Sequence, residues 1–325
     1  MRDSRRGFVG LMLTLAAGAG APYALAAPLS SRPIRLVVPF GAGGVADLVA
    51  RSVAQKMSES MGQSIVIDNK PGAGGVVASD TVAKAAPDGH TLLLMSNGNA
   101  VSAGLFKSLP YDTVKDFAPV STLGYFDMAV LAQGNGKFKT FADLVAYAKA
   151  NPGRLNIGTI NVGSTQNLAG ELLKTSLGID AQVVPFNGTP AVTTALRGGQ
   201  VDVAVEILSP VLSQIEAKAL RALAVMGDKR ALSLPDVPTV AESGTPGFQV
   251  ASWNALAAPA GTPPDVIARL NREARAALDS SEVKKRLQAL SVEPRGSTPQ
   301  EQARLLDSEI QRWSVVIQRA GIPKQ

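Results

Sequence analysis

Apolar residues along this chain switch between two periods. Ile34-Arg35-Leu36-Val37-Val38-Pro39-Phe40 is a short apolar, β-branched run that ends in Gly41-Ala42-Gly43-Gly44, and beyond it apolar residues recur at Ala46, Val49, Val53, Met57 and Met61. That spacing predicts a strand, a glycine turn and an amphipathic helix. The plan repeats, with a strand over 64–68, a turn at Pro71-Gly72-Ala73-Gly74-Gly75, a helix over 76–86 and a buried strand over 92–95 that closes at Ser96-Asn97-Gly98-Asn99. A second series follows Asp116-Phe117: strands over 120–123 and 128–132, a helix over 141–151 stopped by Pro152-Gly153, a strand over 156–159, a polar turn over 161–166 and a helix over 167–177 with Leu168, Leu172 and Leu173 facing inward. It continues with a strand over 183–186, a turn at Asn187-Gly188-Thr189-Pro190 whose proline suits a helix start, and a strand over 201–207. A third apolar run, 253–258, ends in Pro259-Ala260-Gly261-Thr262-Pro263-Pro264 and leads to helices over 265–277 and 299–320, read as returning to the first series. Strands alternating with helices imply parallel βαβ units with right-handed crossovers, and ligands beyond the carboxyl ends of the strands.

At 325 residues the chain is long enough for two packed lobes of the α/β class, and 46% hydrophobic against 18% charged residues marks it as globular. The absence of cysteine excludes disulfides, thiolate metal sites and a cysteine nucleophile, and the single His90 excludes a multi-histidine metal site. The formal charge of +6 suggests an anionic partner until it is located.

Much of it sits at the start. Arg2, Arg5 and Arg6 precede an apolar stretch from Phe8 to Ala21 and the small-residue sequence Ala24-Leu25-Ala26, the pattern of an export signal. The stretch is too short for a permanent membrane span, and Ser4-Arg5-Arg6-Gly7-Phe8-Val9 suits the twin-arginine route. Cleavage after Ala26 removes those three arginines and Asp3, so +6 becomes +4, and a periplasmic location is expected. Lys284-Lys285-Arg286 and Lys229-Arg230 are not interleaved with aromatics, so nucleic-acid binding is not expected.

Two glycine loops carry the candidate chemistry. A glycine loop at a helix start aims unpaired backbone N–H groups and the positive end of the helix dipole at one spot, which suits an anion. Phe40 to Asp47, with Ala42, Gly43 and Gly44, forms one such loop; Thr159 to Asn167, with Asn161, Gly163, Ser164, Thr165 and Gln166, forms the other and adds side-chain donors. Asp47 either accepts loop N–H bonds or touches ligand, and Glu206 at a strand end either recognises an amine or is solvated. Asn97, Asn99 and Asn187 complete the candidate cleft. Trp253 is read as core and His90 as surface. Gly41-Ala42-Gly43-Gly44-Val45-Ala46, with Asp68 ending the next strand, also fits a dinucleotide fingerprint, so an exported nucleotide-dependent oxidoreductase stands as a rival.

These segments resemble a known family. Residues 33–40 with Gly43-Gly44 and Asp47, Asn69-Lys70-Pro71-Gly72-Ala73-Gly74-Gly75, Ala85-Ala86-Pro87-Asp88-Gly89-His90-Thr91-Leu92, Leu109-Pro110-Tyr111-Asp112 and Leu234-Pro235-Asp236-Val237-Pro238-Thr239 are similar to the Bug-type solute receptors of tripartite tricarboxylate transporters. The resemblance implies a two-lobed, Venus-flytrap periplasmic binding protein, each lobe a mainly parallel sheet flanked by helices. Residues 27–127 and 251–325 would form lobe one and 128–250 lobe two. It also implies a non-enzyme without cofactor that captures a small carboxylated solute and delivers it to membrane permease subunits, with a monomer expected; a receptor feeding a membrane signalling kinase is the alternative within this fold. In the family the two loops at Phe40–Asp47 and 159–166 pin a carboxylate, partly through water. The chain departs from it at Asn167 (a frequent His), Phe186-Asn187-Gly188 (Tyr-Lys-Gly) and Glu206-Ile207 (Asp-Asn), so the family's better-known ligands do not transfer.

Overall fold

The computed structural model describes residues 32–325, so the export signal read over 1–26 lies outside the described residues. Along the chain run β1 (Ile34–Val38), α1 (Val45–Met61), β2 (Ile65–Asn69), α2 (Val76–Ala83), β3 (Thr91–Ser96), α3 (Asn97–Leu105) and β4 (Phe117–Gln133). Next come α4 (Phe141–Ala150), β5 (Leu155–Ile160), α5 (Thr165–Leu177), β6 (Ala181–Phe186), α6 (Thr189–Arg197), β7 (Val203–Ile207), α7 (Leu212–Glu216) and β8 (Leu220–Val225). The chain closes with β9 (Ala251–Pro259), α8 (Pro264–Asp279), α9 (Ser281–Ala289), β10 (Val292–Pro294) and α10 (Pro299–Arg319).

Parallel pairing occurs where the strand–helix alternation predicts it. β1 pairs in parallel with β2 and β3, and β5 with β6 and β7. The strands joining these two sets add antiparallel pairs: β9 lies against β3 and β4, and β7 and β8 both lie against β4. The result is a curled, mixed sheet with helices on its faces.

β4 joins the two sets. Residues 117–127 pair with β9, whereas 128–133 pair with β7 and β8. The pattern predicted two strands here, separated by Gly124 to Asp127; a single 17-residue strand runs through instead, with two register shifts against β9 and one against β8. Gly124 is required because a Cβ there would overlap Val292 of β10. At the changeover stands Asp127, whose carboxyl burial and the neighbouring Glu293 and Asp228 push up to about 6, against the pull of Lys229 and Arg295.

The helices form where the apolar period placed them. α1 buries Val49, Val53 and Met57 at helical spacing and stops at Gly62 in the left-handed region, φ 62°. α10 starts with a Thr298–Glu301 capping box and Pro299 in its first turn. α8 packs on α1 and β4, whereas α10 packs on α3, β4 and α5 and so touches both strand sets. Trp253 is in the core as expected. His90 corrects its surface assignment: it is buried, where the turn feeds β3 and its carbonyl accepts the Arg35 amide. α3, α7, β8 and β10 were not read from the pattern. Ser96-Asn97-Gly98-Asn99 looked like a loop because its residues are turn formers, but Ser96 and Asn99 form a capping box that starts α3.

Candidate binding cleft

Several helix starts meet at one cavity of about 610 Å³. After β1 the chain turns at Gly43, and Gly44, Val45 and Ala46, the cap and first two residues of α1, line the cavity. After β5 it turns at Gly163, and Ser164, Thr165 and Gln166, the same positions of α5, line it from the other strand set. Gly75 at the start of α2, Ser96 and Gly98 at the start of α3, and Thr189 at the start of α6 complete the ring. The first amides of a helix have no intrahelical acceptor and carry the positive end of its dipole. Phe126, Val101, Leu105, Ile160 and Ile207 supply apolar wall. Among the described lining residues, Glu206 is the only one with an ionisable side chain.

Each main turn is braced from behind. The Gly43 amide donates to Asp47 Oδ2 (2.9 Å), Arg51 Nε donates to the same oxygen (2.8 Å), and Asn69 Nδ2 donates both to Asp47 Oδ1 (2.8 Å) and to the Phe40 carbonyl (2.9 Å). Burial pushes the Asp47 carboxyl up, but the donors on Arg51, Gly43 and Asn69 outweigh it and hold the carboxyl below its usual range. In the second turn the Gly163 amide donates to Asn167 Oδ1 (3.1 Å), and Asn167 Nδ2 donates to Thr159 Oγ1 (3.1 Å). Ser164 caps α5 by accepting the Asn167 amide, and its hydroxyl donates to the Ile160 carbonyl (3.1 Å each).

Contacts also bridge the two strand sets. Asn97 Nδ2 donates to Thr165 Oγ1 (2.9 Å), while Asn97 Oδ1 accepts Trp313 Nε1 (2.9 Å). A Cβ on Gly163 would overlap the tip of the Leu105 side chain. Glu206 accepts Gln166 Nε2 (2.7 Å) and the Ile207 amide (2.9 Å) at Oε1. Burial pushes its carboxyl up, and the hydrogen bonds only partly offset this.

Of the residues expected in the cleft, Phe40, Gly44, Asn161, Gly163, Ser164, Thr165 and Glu206 line the cavity. Asp47, Thr159, Asn97 and Asn99 are buried behind the lining, and Gly43 is exposed in the turn beside it. Asn99 is engaged in capping α3 and in donating to Ser79 Oγ (2.7 Å). Ala42 and Asn187 are exposed and off the lining, because the turns carry them outward. Residues that the sequence did not single out include Ser96, Thr189 and Asn254; the capping spacing at Ser96 and the proline after Thr189 were usable signals. Asp68, the candidate ribose partner, is off the lining and faces Arg35 (3.7 Å), so the dinucleotide fingerprint lacks its acid.

Residues 49–322 match the model of the tripartite tricarboxylate transporter family receptor. The chain is similar to the periplasmic binding protein BugD, with 33% identity, a TM-score of 0.76 and coverage of 90% of this chain and 99% of that one. It is also similar to an R. palustris protein solved with adipate (36%, TM-score 0.78, 90% and 98%). A third solved relative, MatC from Rhodopseudomonas palustris with bound malate, gives 36%, 0.73, 88% and 99%.

Proposed function

We infer function from one premise: the chain belongs to the tripartite tricarboxylate transporter receptor family, whose solved relatives share its periplasmic binding protein fold. We propose that it captures a small carboxylate-containing solute in the periplasm and delivers it to membrane permease subunits. One observation carries the carboxylate reading: several helix N-termini converge on a cavity that, among the described residues, is lined by no basic side chain. An anion there is held by uncharged N–H donors, which lose little on desolvation and gain as water leaves. Adipate and malate in the solved relatives are carboxylates of a size this cavity accepts.

In this reading 27–127 with 251–325 forms one lobe and 128–250 the other, and β4 and β9 supply the hinge. The open form binds the carboxylate on the amides of Gly44, Val45 and Ala46. Closure brings up those of Thr165 and Gln166, and the Thr165 hydroxyl, which accepts from Asn97, keeps its own proton for the ligand. The Asn97–Thr165 bond and the Gly163–Leu105 contact form as the lobes meet. The cycle involves no covalent step, and the protein works as a monomer.

A thermal-shift screen with mono-, di- and tricarboxylates, followed by calorimetry, tests this. A ligand at about 100 times its Kd stabilises the bound form by about 2.7 kcal/mol, so a clear rise in Tm with at least one acid is expected. No shift with any acid would remove the carboxylate reading.

A further inference from the structure

The cavity has a polar feature that a plain carboxylate leaves unanswered. Glu206 is 0% exposed, and while Oε1 takes two N–H donors, Oε2 has no hydrogen-bond partner. The Thr189 hydroxyl stands near the carboxyl without reaching full hydrogen-bond geometry. In the same lining Asn254 is 2% exposed; its Nδ2 donates to the Trp253 carbonyl (3.2 Å), and its Oδ1 is without a partner. Both unanswered atoms are acceptors, and both belong to residues of the lining. A buried acceptor without a donor is costly, and a buried carboxylate without a cation more so.

The charge balance points the same way. No basic side chain lines the cavity among the described residues, so an anionic ligand would bring a second negative charge beside Glu206 with only helix amides, and no cationic side chain, to offset it. A ligand that carries its own positive charge removes the conflict, because its carboxylate takes the helix amides and its cationic donor takes the free oxygen.

We propose that Glu206 is a specificity-determining residue that selects, among carboxylates, those also bearing a protonated nitrogen, which lies against Oε2. This rests on the carboxylate reading above and narrows it to zwitterionic amino-carboxylates. The apolar wall of Phe126, Ile160 and Ile207 suits an aliphatic body between the charges.

Calorimetry at pH 7 on matched probes tests it: ε-aminocaproate against caproate, free leucine against isocaproate, and adipate. At least one amino member binds about tenfold or more tightly than its deaminated partner. Glu206→Gln keeps the acceptor at Oε1 and removes the charge, and it reduces that preference to below about threefold. Equal binding within each pair, or adipate ahead of both amino acids in the wild type, overturns the proposal and leaves carboxylate capture standing. If no probe and no other acid binds, the carboxylate reading has failed and this one falls with it. The wild-type ranking decides the matter even if the variant does not fold.

Discussion

After β1 the chain turns at Gly43 and after β5 at Gly163, with φ 83° and 77°, and in both turns the glycine amide donates to the side chain four residues on, Asp47 or Asn167. The chemistry behind the shared geometry differs. Asp47 is charged and draws in Arg51 and Asn69, so the first turn is braced wholly within its own strand set. Asn167 is neutral and reaches only Thr159; the second turn gains its remaining support from the Ser164 cap and from across the cleft, through Asn97 and Leu105. One plan thus yields a half-site braced within its own strand set and a half-site whose support comes partly from the other set, which suits the proposed cycle of binding first and closing second.

The largest test of this difference is truncation of the two braces. Asp47→Ala strips the acceptor from the Gly43 amide, Asn69 and the half-exposed Arg51 together and should lower stability by about 2–3 kcal/mol. Asn167→Ala should cost about 1–2 kcal/mol, because its partners are neutral. Urea denaturation of both variants measures this, and equal losses would break the contrast.

The glycines come next. Both hold left-handed backbone, worth about 1–2 kcal/mol to any other residue. A Cβ on Gly43 meets open space, whereas one on Gly163 overlaps Leu105. Gly163→Ala should therefore cost about 2–3 kcal/mol against about 1 for Gly43→Ala. In a double-mutant cycle Leu105→Ala should recover part of the Gly163→Ala loss and none of the Gly43→Ala loss.

These differences explain what could be read from the chain beforehand. The apolar pattern revealed α1 because it buries one face at helical spacing, and β1 and β5 because they are short runs buried on both faces. The glycine loops were visible because a tight turn into a helix needs them. Hidden from the sequence was anything decided by distant partners: β4 as one strand rather than two, since Gly124 answers to Val292, and the buried place of His90. In the cleft, residue types were legible and orientations were not, so Asp47, Asn97 and Asn99 were chosen for the lining but brace it from behind.

Acid should separate the turns further. The Asp47 carboxyl is held below its unfolded value, so its contribution is present above about pH 4 and is lost as pH falls through the lower folded value. Protection factors of the amides at 40–47, corrected for intrinsic exchange, should fall below about pH 4, while 161–167, whose brace does not titrate, keeps its protection. Asp127 at the strand changeover has the opposite sign. Its folded value of about 6 lies above the unfolded one, so stability falls as pH rises from about 4 to 6. Asp127→Asn should add on the order of 2 kcal/mol above pH 6 and nothing below pH 4.

The smallest effect tests the second turn alone. Ser164 Oγ accepts the Asn167 amide and donates its one proton to the Ile160 carbonyl, so its hydroxyl is a helix cap with no hydrogen left for a ligand. Ser164→Ala should cost about 1 kcal/mol of stability and change carboxylate affinity by less than about threefold. Thr165→Val removes a hydroxyl that accepts from Asn97 and still has a proton to give, so its affinity loss should be the larger, about fivefold or more. Calorimetry on the two variants with one carboxylate gives the order directly. If Ser164→Ala proves the more damaging for binding, the hydroxyl must leave Ile160 when ligand arrives. The second turn would then differ from the first in rearranging its own hydrogen bonds as well as in leaning on Asn97 and Leu105 of the other strand set.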